Sequence, residues 1–122
     1  MAYRIGAKES VGYYATWTLG GAAFAGVVDL TGWAFKATFE RYAGDAEAFT
    51  LDMAADDASE GFRIHDGAAR QITCRILPAT LAGVDDTTGS FSMVTDLLAT
   101  PPDEDRFFVA SIEIIIERSP TA

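Results

Sequence analysis

The chain has 122 residues, 49% hydrophobic and 22% charged, the proportions of a globular protein rather than a disordered one. That length suits a single domain, 1–122, with enough core to fold without staples. Asp and Glu number 18 against 9 Lys and Arg, for a net charge of −9. Such a surface repels nucleic-acid phosphates and anionic lipid, so neither nucleic acid nor a membrane is expected as a partner.

Along the chain, Met1–Ser10 has no apolar h-region, so no signal peptide is expected, and residues 1–9 are expected as an N-terminal arm. Synthesis is therefore expected in the cytoplasm. The dominant period after that is two, the mark of half-buried strands. Val11, Tyr13, Ala15, Trp17 and Leu19 alternate with Gly12, Tyr14, Thr16 and Thr18, and Gly20-Gly21 ends the run. Ala22–Gly32 is small, Gly-rich and without period. Trp33, Phe35, Ala37 and Phe39 then define a second strand.

Ala43-Gly44-Asp45 reads as a turn, Phe49, Leu51 and Met53 as a shorter strand, and Ala54–Glu60 as an acidic loop. Phe62 and Ile64 mark a strand before the Asp66-Gly67 turn. Ile72, Cys74 and Ile76 mark another. Pro78–Ala82 has Pro early and suits one helical turn. After a loop at 85–89, Ser90–Ala99 is a strand and Pro101–Asp105 a polar turn. Phe107–Glu117 is the last strand, with Phe108, Ala110, Ile112, Ile114 and Ile116 on one face, and 119–122 form a C-terminal tail. About seven strands with short connections and no crossover helix predict an all-β, antiparallel sandwich or barrel, with the sandwich favoured. Trp17, Leu30, Trp33, Phe35, Phe39, Leu51, Ile64, Ile72, Cys74, Ile76, Ile112 and Ile114 are its expected core.

Catalysis needs a positioned acid, base or nucleophile. His65 is the sole histidine and stands at a strand end. Cys74 is the sole cysteine and alternates between isoleucines as a small core residue. One His and one Cys do not make a zinc site, and no G-x-S-x-G elbow is present. Asp52, Asp56, Asp57 and Glu60 lack EF-hand spacing, so the 52–60 loop is read as solvated, with calcium as the alternative. Gly20, Gly21 and Gly26 lack the strand, helix and Lys of a phosphate cradle. No enzyme, metal or cofactor is expected. Tyr14, Tyr42 and Ile115 fall on the outward phase of their segments and are the candidate interface, because Tyr is favoured at contact surfaces.

One ordered set of motifs carries more. Asp29-Leu30-Thr31-Gly32-Trp33-Ala34-Phe35 opens a strand running to Glu40-Arg41. Phe62-Arg63-Ile64-His65-Asp66-Gly67 follows, then Ile72–Leu81, then Phe91–Leu97, then a final hairpin and strand, Phe107–Thr121. From Trp17 onward the chain resembles small phage and prophage tail or baseplate proteins with an immunoglobulin-like fold. It departs from them at Thr95, or Phe91, where the family has Tyr, and at Ala110 or Ser111, where it has Gly. The resemblance implies a β-sandwich without catalytic residues. In physical terms, Leu30 would anchor the loop in the core, Asp29 and Thr31 would bond nearby amides, and Gly32 would take a positive φ.

The resemblance implies a structural component of a phage or phage-like particle, located in the virion as a tail, baseplate or accessory protein. Its partners would be other virion proteins, with further copies of the chain also open. The alternative is a module that binds a host-surface glycan or protein. A DNA-mimicking acidic inhibitor and a small hydrolase follow. Exposed tyrosines in a row would favour glycan, and a large apolar patch would favour assembly.

Overall fold

Strict alternation turns each apolar run into a strand with one buried face. In the computed structural model, which describes residues 2–21, 24–42, 44–84 and 90–117, these strands form two sheets around one core. The strands are β1 (Ala2–Lys8), β2 (Tyr13–Thr18), β3 (Ala34–Glu40), β4 (Glu47–Leu51), β5 (Gly61–Asp66), β6 (Gln71–Ile76), β7 (Ser90–Thr100) and β8 (Phe107–Glu117). The helical turn α1 (Pro78–Ala82) lies where Pro78 predicted it, with Leu81 buried.

One sheet has five strands in the order β1-β8-β7-β3-β4; the other has three, β2-β6-β5. The expected all-β architecture is present, but two expectations need correction. The segment expected as an arm is β1, so the described residues hold eight strands. β1 pairs with β8 in parallel, Ala2 opposite Ser111 through Lys8 opposite Glu117, so the larger sheet is mixed rather than antiparallel. The signal in β1 was weak because Arg4 and Lys8 occupy its outward positions and Gly6 interrupts it. The loop at 85–89 and the tail at 119–122 lie outside the described residues.

Burial follows the predicted phase. Leu30, Phe35, Phe39, Leu51, Ile72, Cys74, Ile76, Ile112 and Ile114 are buried. Phe39 stacks on Phe49 at 4.7 Å across the β3–β4 pair. Trp17, Trp33 and Ile64 are half-buried instead of fully buried. Trp17 faces an opening between the sheets, and Trp33 covers Phe24 and Phe107 from the side, with ring centroids 5.5 and 5.9 Å away. Phe24, in the aperiodic Gly-rich stretch, is fully buried, as are Phe62, Leu81 and Met93.

Phe108 was expected inside and is outside, 50% exposed. A bulge is the cause: Leu97 pairs with Ala110 while Leu98 pairs with Phe108, so Val109 is an extra residue and the phase inverts before it.

The two flanks of the molecule differ. Beyond β4, Met53 bridges to Phe62 of β5, with Phe62 N donating to Asp52 O at 2.8 Å and Ala54 N to Phe62 O at 2.9 Å. Backbone hydrogen bonds thus close that flank. On the other flank, β1 and β2 meet at a tight turn, where Gly12 N donates to Lys8 O at 2.8 Å, and diverge from it. They leave a cleft of about 510 Å³ lined by Tyr3, Ile5, Trp17, Leu19, Val109 and Ile112, among others.

Removing the Phe39 ring should cost about 3–5 kcal/mol, because a large buried side chain leaves a cavity. Phe108→Ala should change stability by less than about 0.5 kcal/mol, as an exposed site does. Urea unfolding of both variants checks this; equal losses would put Phe108 inside and remove the bulge.

Candidate functional site

The Asp29–Gly32 loop is built as its residues dictate. Asp29 Oδ1 accepts from Thr31 N and from Thr31 Oγ1, both at 2.9 Å. These bonds hold the Asp29 carboxyl below its ordinary pKa, the backbone bond contributing most. Leu30 is fully buried and Gly32 sits at φ +84°, a region that excludes other residue types at low cost. The loop rests on the β5–β6 turn: Leu30 N donates to Gly67 O at 3.2 Å, and a Cβ on Gly67 would collide with the Asp29 carboxylate. Arg70, next in that turn, donates from Nη1 to Phe24 O at 3.1 Å, and its carbonyl accepts from Leu19 N at 2.8 Å. One hairpin turn therefore pins the whole irregular connection between β2 and β3.

The acidic loop spends its carboxylates separately. Asp56 Oδ1 accepts from Ala58 N and Ser59 Oγ, which lowers its pKa, the serine bond most. Asp57 pairs with Arg63 at 3.0 Å, Glu60 accepts from Leu77 N at 2.9 Å, and Asp52 lies 3.9 Å from Lys36. Among the described residues no three His, Cys, Asp or Glu side chains gather as a metal site, and no helix is long and apolar enough to cross a membrane. His65 is the extra residue of a bulge at the exposed end of β5. Cys74 is buried, and desolvation pushes its thiol pKa up to about 12.

The three candidate interface residues do not share a face. Ile115 points outward from β8, half-buried, between Ser92 of β7 and Gly6 of β1. Tyr42 follows the end of β3 and is 63% exposed. Its neighbour Arg41 donates from Nε to Ser92 O at 3.3 Å, which brings this end of β3 to the stretch of β7 that carries Ile115 on its other side. Tyr14 stands on the three-stranded sheet, with the Arg75 guanidinium 4.1 Å from its ring centre. Tyr14 and Tyr42 therefore form no row. Sequence reasoning missed the other apolar members of the five-stranded face. Val94 is half-buried opposite Glu113, and Leu98 pairs with Phe108. The hidden bulge at Val109 placed Phe108 on the wrong side.

No protein-family model and no curated protein matches the chain.

Two outcomes follow from these protonation states. Cys74 should resist alkylation at pH 8 until the protein is unfolded, because the thiolate is nearly absent and the site closed; rapid labelling of folded protein would contradict this burial. A depressed carboxyl stabilises the fold above its unfolded pKa and loses that effect as pH falls through its folded value. Asp29→Asn should therefore be less stable than the parent at neutral pH, with the gap closing in acid. A gap constant with pH, measured by thermal unfolding, would remove the carboxylate from the account.

Proposed function

We propose that the chain is a non-enzymatic structural component of a phage or phage-like particle, an immunoglobulin-like domain that acts by packing against neighbouring subunits. The observation that carries the reading is the junction of the two motifs behind the resemblance. Asp29-Leu30-Thr31-Gly32 and Asp66-Gly67, far apart in sequence, meet at the Leu30–Gly67 hydrogen bond, and each supplies a residue the other requires. Motifs that depend on each other in this way are one fold device, not two short coincidences.

The strand order supports the fold half of the proposal. β2-β6-β5 corresponds to strands B-E-D of an immunoglobulin sandwich, and β8-β7-β3-β4 to G-F-C-C′. β1 then lies beside the last strand. The docking surface is the outward face of the five-stranded sheet around Ile115, Val94 and the adjoining end of β3 at Tyr42. Its apolar groups are separated by ion pairs such as Arg4–Glu113, 2.7 Å. Such a mixed surface stays soluble alone and buries apolar area on assembly. The net charge of −9 keeps free subunits apart.

The test is to replace Ile115 and Tyr42 together by Asp. The variant should remain folded by circular dichroism, since neither side chain is in the core. Purified particles from cells expressing the parent should contain the chain at a fixed copy number, and those from the variant should lack it. A folded variant incorporated normally would move the interface elsewhere, and absence of the parent chain from purified particles would end the assembly reading.

A further inference from the structure

Each sheet ends in two edge strands, and an edge strand leaves main-chain donors and acceptors unpaired. Three of the four edges are defended. β1 carries Arg4 and Lys8, β4 carries Glu47, and β5 carries Arg63 and Asp66 and is bridged by Met53. β2 is the exception. Its six residues, Tyr-Tyr-Ala-Thr-Trp-Thr, include no charge and no proline, and among the described residues nothing pairs with its outer edge. A polar edge without charge, beside water, is the arrangement that natural sheets avoid.

The same edge borders the apolar cleft. Five strands face three, so β1 extends over a place where the smaller sheet has no strand. The cleft is lined by Ile5 from above and by Trp17 and Leu19 from the side, with Val109 and Ile112 at its back. Thr18 and Arg4 line it as well, although both belong to the outward phase of their strands, so the strand backbones themselves form part of its wall. Tyr3, at the mouth, is 53% exposed.

We propose that the outer edge of β2 accepts one extended segment of another protein as a fourth strand of the smaller sheet, with its alternate side chains filling the cleft beneath β1. This goes beyond the assembly reading, which uses the opposite, outward face of the larger sheet. The chemistry selects the occupant. Unpaired main-chain groups at period two are matched by an extended chain, and an apolar wall on one side of that chain selects apolar residues at every second position. Residues of β1 and β2 line the same cleft, so a strand added to β2 lies beneath β1. The closed flank shows the same solution made internally, where Met53 adds to β5 by backbone hydrogen bonds.

The probe is a series of hexapeptides, matched to the six residues of β2, that alternate Val, Ile, Leu or Phe with Thr. Binding to the purified full chain is followed by amide hydrogen exchange and by tryptophan emission. The best peptide should slow exchange in β2 by about tenfold or more at saturation, as formation of new ladder bonds does. It should leave β4 unchanged and shift tryptophan emission to the blue. Ile5→Trp, which fills the cleft from β1, should abolish binding while keeping the parent's circular dichroism. If that variant does not fold, a spin label at the peptide terminus should broaden the Trp17 indole N–H resonance of the parent. No protection of β2 by any peptide at millimolar concentration would overturn the proposal. So would protection confined to β4 or β5, or binding that persists in folded Ile5→Trp. None of these results depends on particles, so they leave the assembly reading standing or falling by its own test.

Discussion

A sheet of five strands must share its apolar face with a sheet of three, and most of the molecule's features are answers to that mismatch. At one side the answer is covalent continuity: the chain leaving β4 passes Met53 across to Phe62, so the core is sealed by backbone. At the other side β1 extends past β2, and the layer beneath it is only partly filled. Trp17 and Ile5 are half-buried for that reason, not because their strands are irregular. The core proper lies where both layers are present, around Phe35, Phe39, Phe62, Ile72 and Ile114.

The second organising contact is the seat of the Asp29–Gly32 loop on the β5–β6 turn. The connection from β2 to β3 has no period, and the Asp29–Thr31 bonds shape only its last turn. Its described parts are held from outside as well, by Gly67 and Arg70, through hydrogen bonds at Leu30, Leu19 and Phe24. Arg70 takes a positive φ to do this, and its Nε is buried with no hydrogen-bond partner among the described residues. A turn that tolerates such a cost is held in place by its surroundings on all sides.

What could be read from sequence divides along physical lines. Strands β2 to β8 announced themselves, because each has one wet and one dry face and the period of two survives in the residues. Cys74 followed from the same logic, and Leu30 from the Asp29–Gly32 motif. β1 was missed because it is an edge whose outward residues are charged and whose inward residues face a cleft, so contrast between its faces is low. Phe24 was missed because burial outside regular structure leaves no period. Phe108 was misplaced because a bulge is a local change of phase set by pairing with Leu98, a residue of another strand. The candidate surface was only partly legible: Ile115 and Tyr42 were found by phase, but which sheet each strand joins is decided by topology, and that separated Tyr14 from them.

The parallel pairing of β1 with β8 has a consequence for how the protein reaches its native state. The first strand pairs with the last, so this contact closes the longest loop of any strand pair in the two sheets and carries the largest loop-closure cost among them. During synthesis, β1 leaves the ribosome long before β8 exists. The pairs β2–β6, β5–β6, β3–β4 and β3–β7 are the ones able to form in that interval, and docking of β1 has to wait for β8. The end that closes last is also the end first to open, so local fraying in the native protein should begin at β1, which is the roof of the cleft.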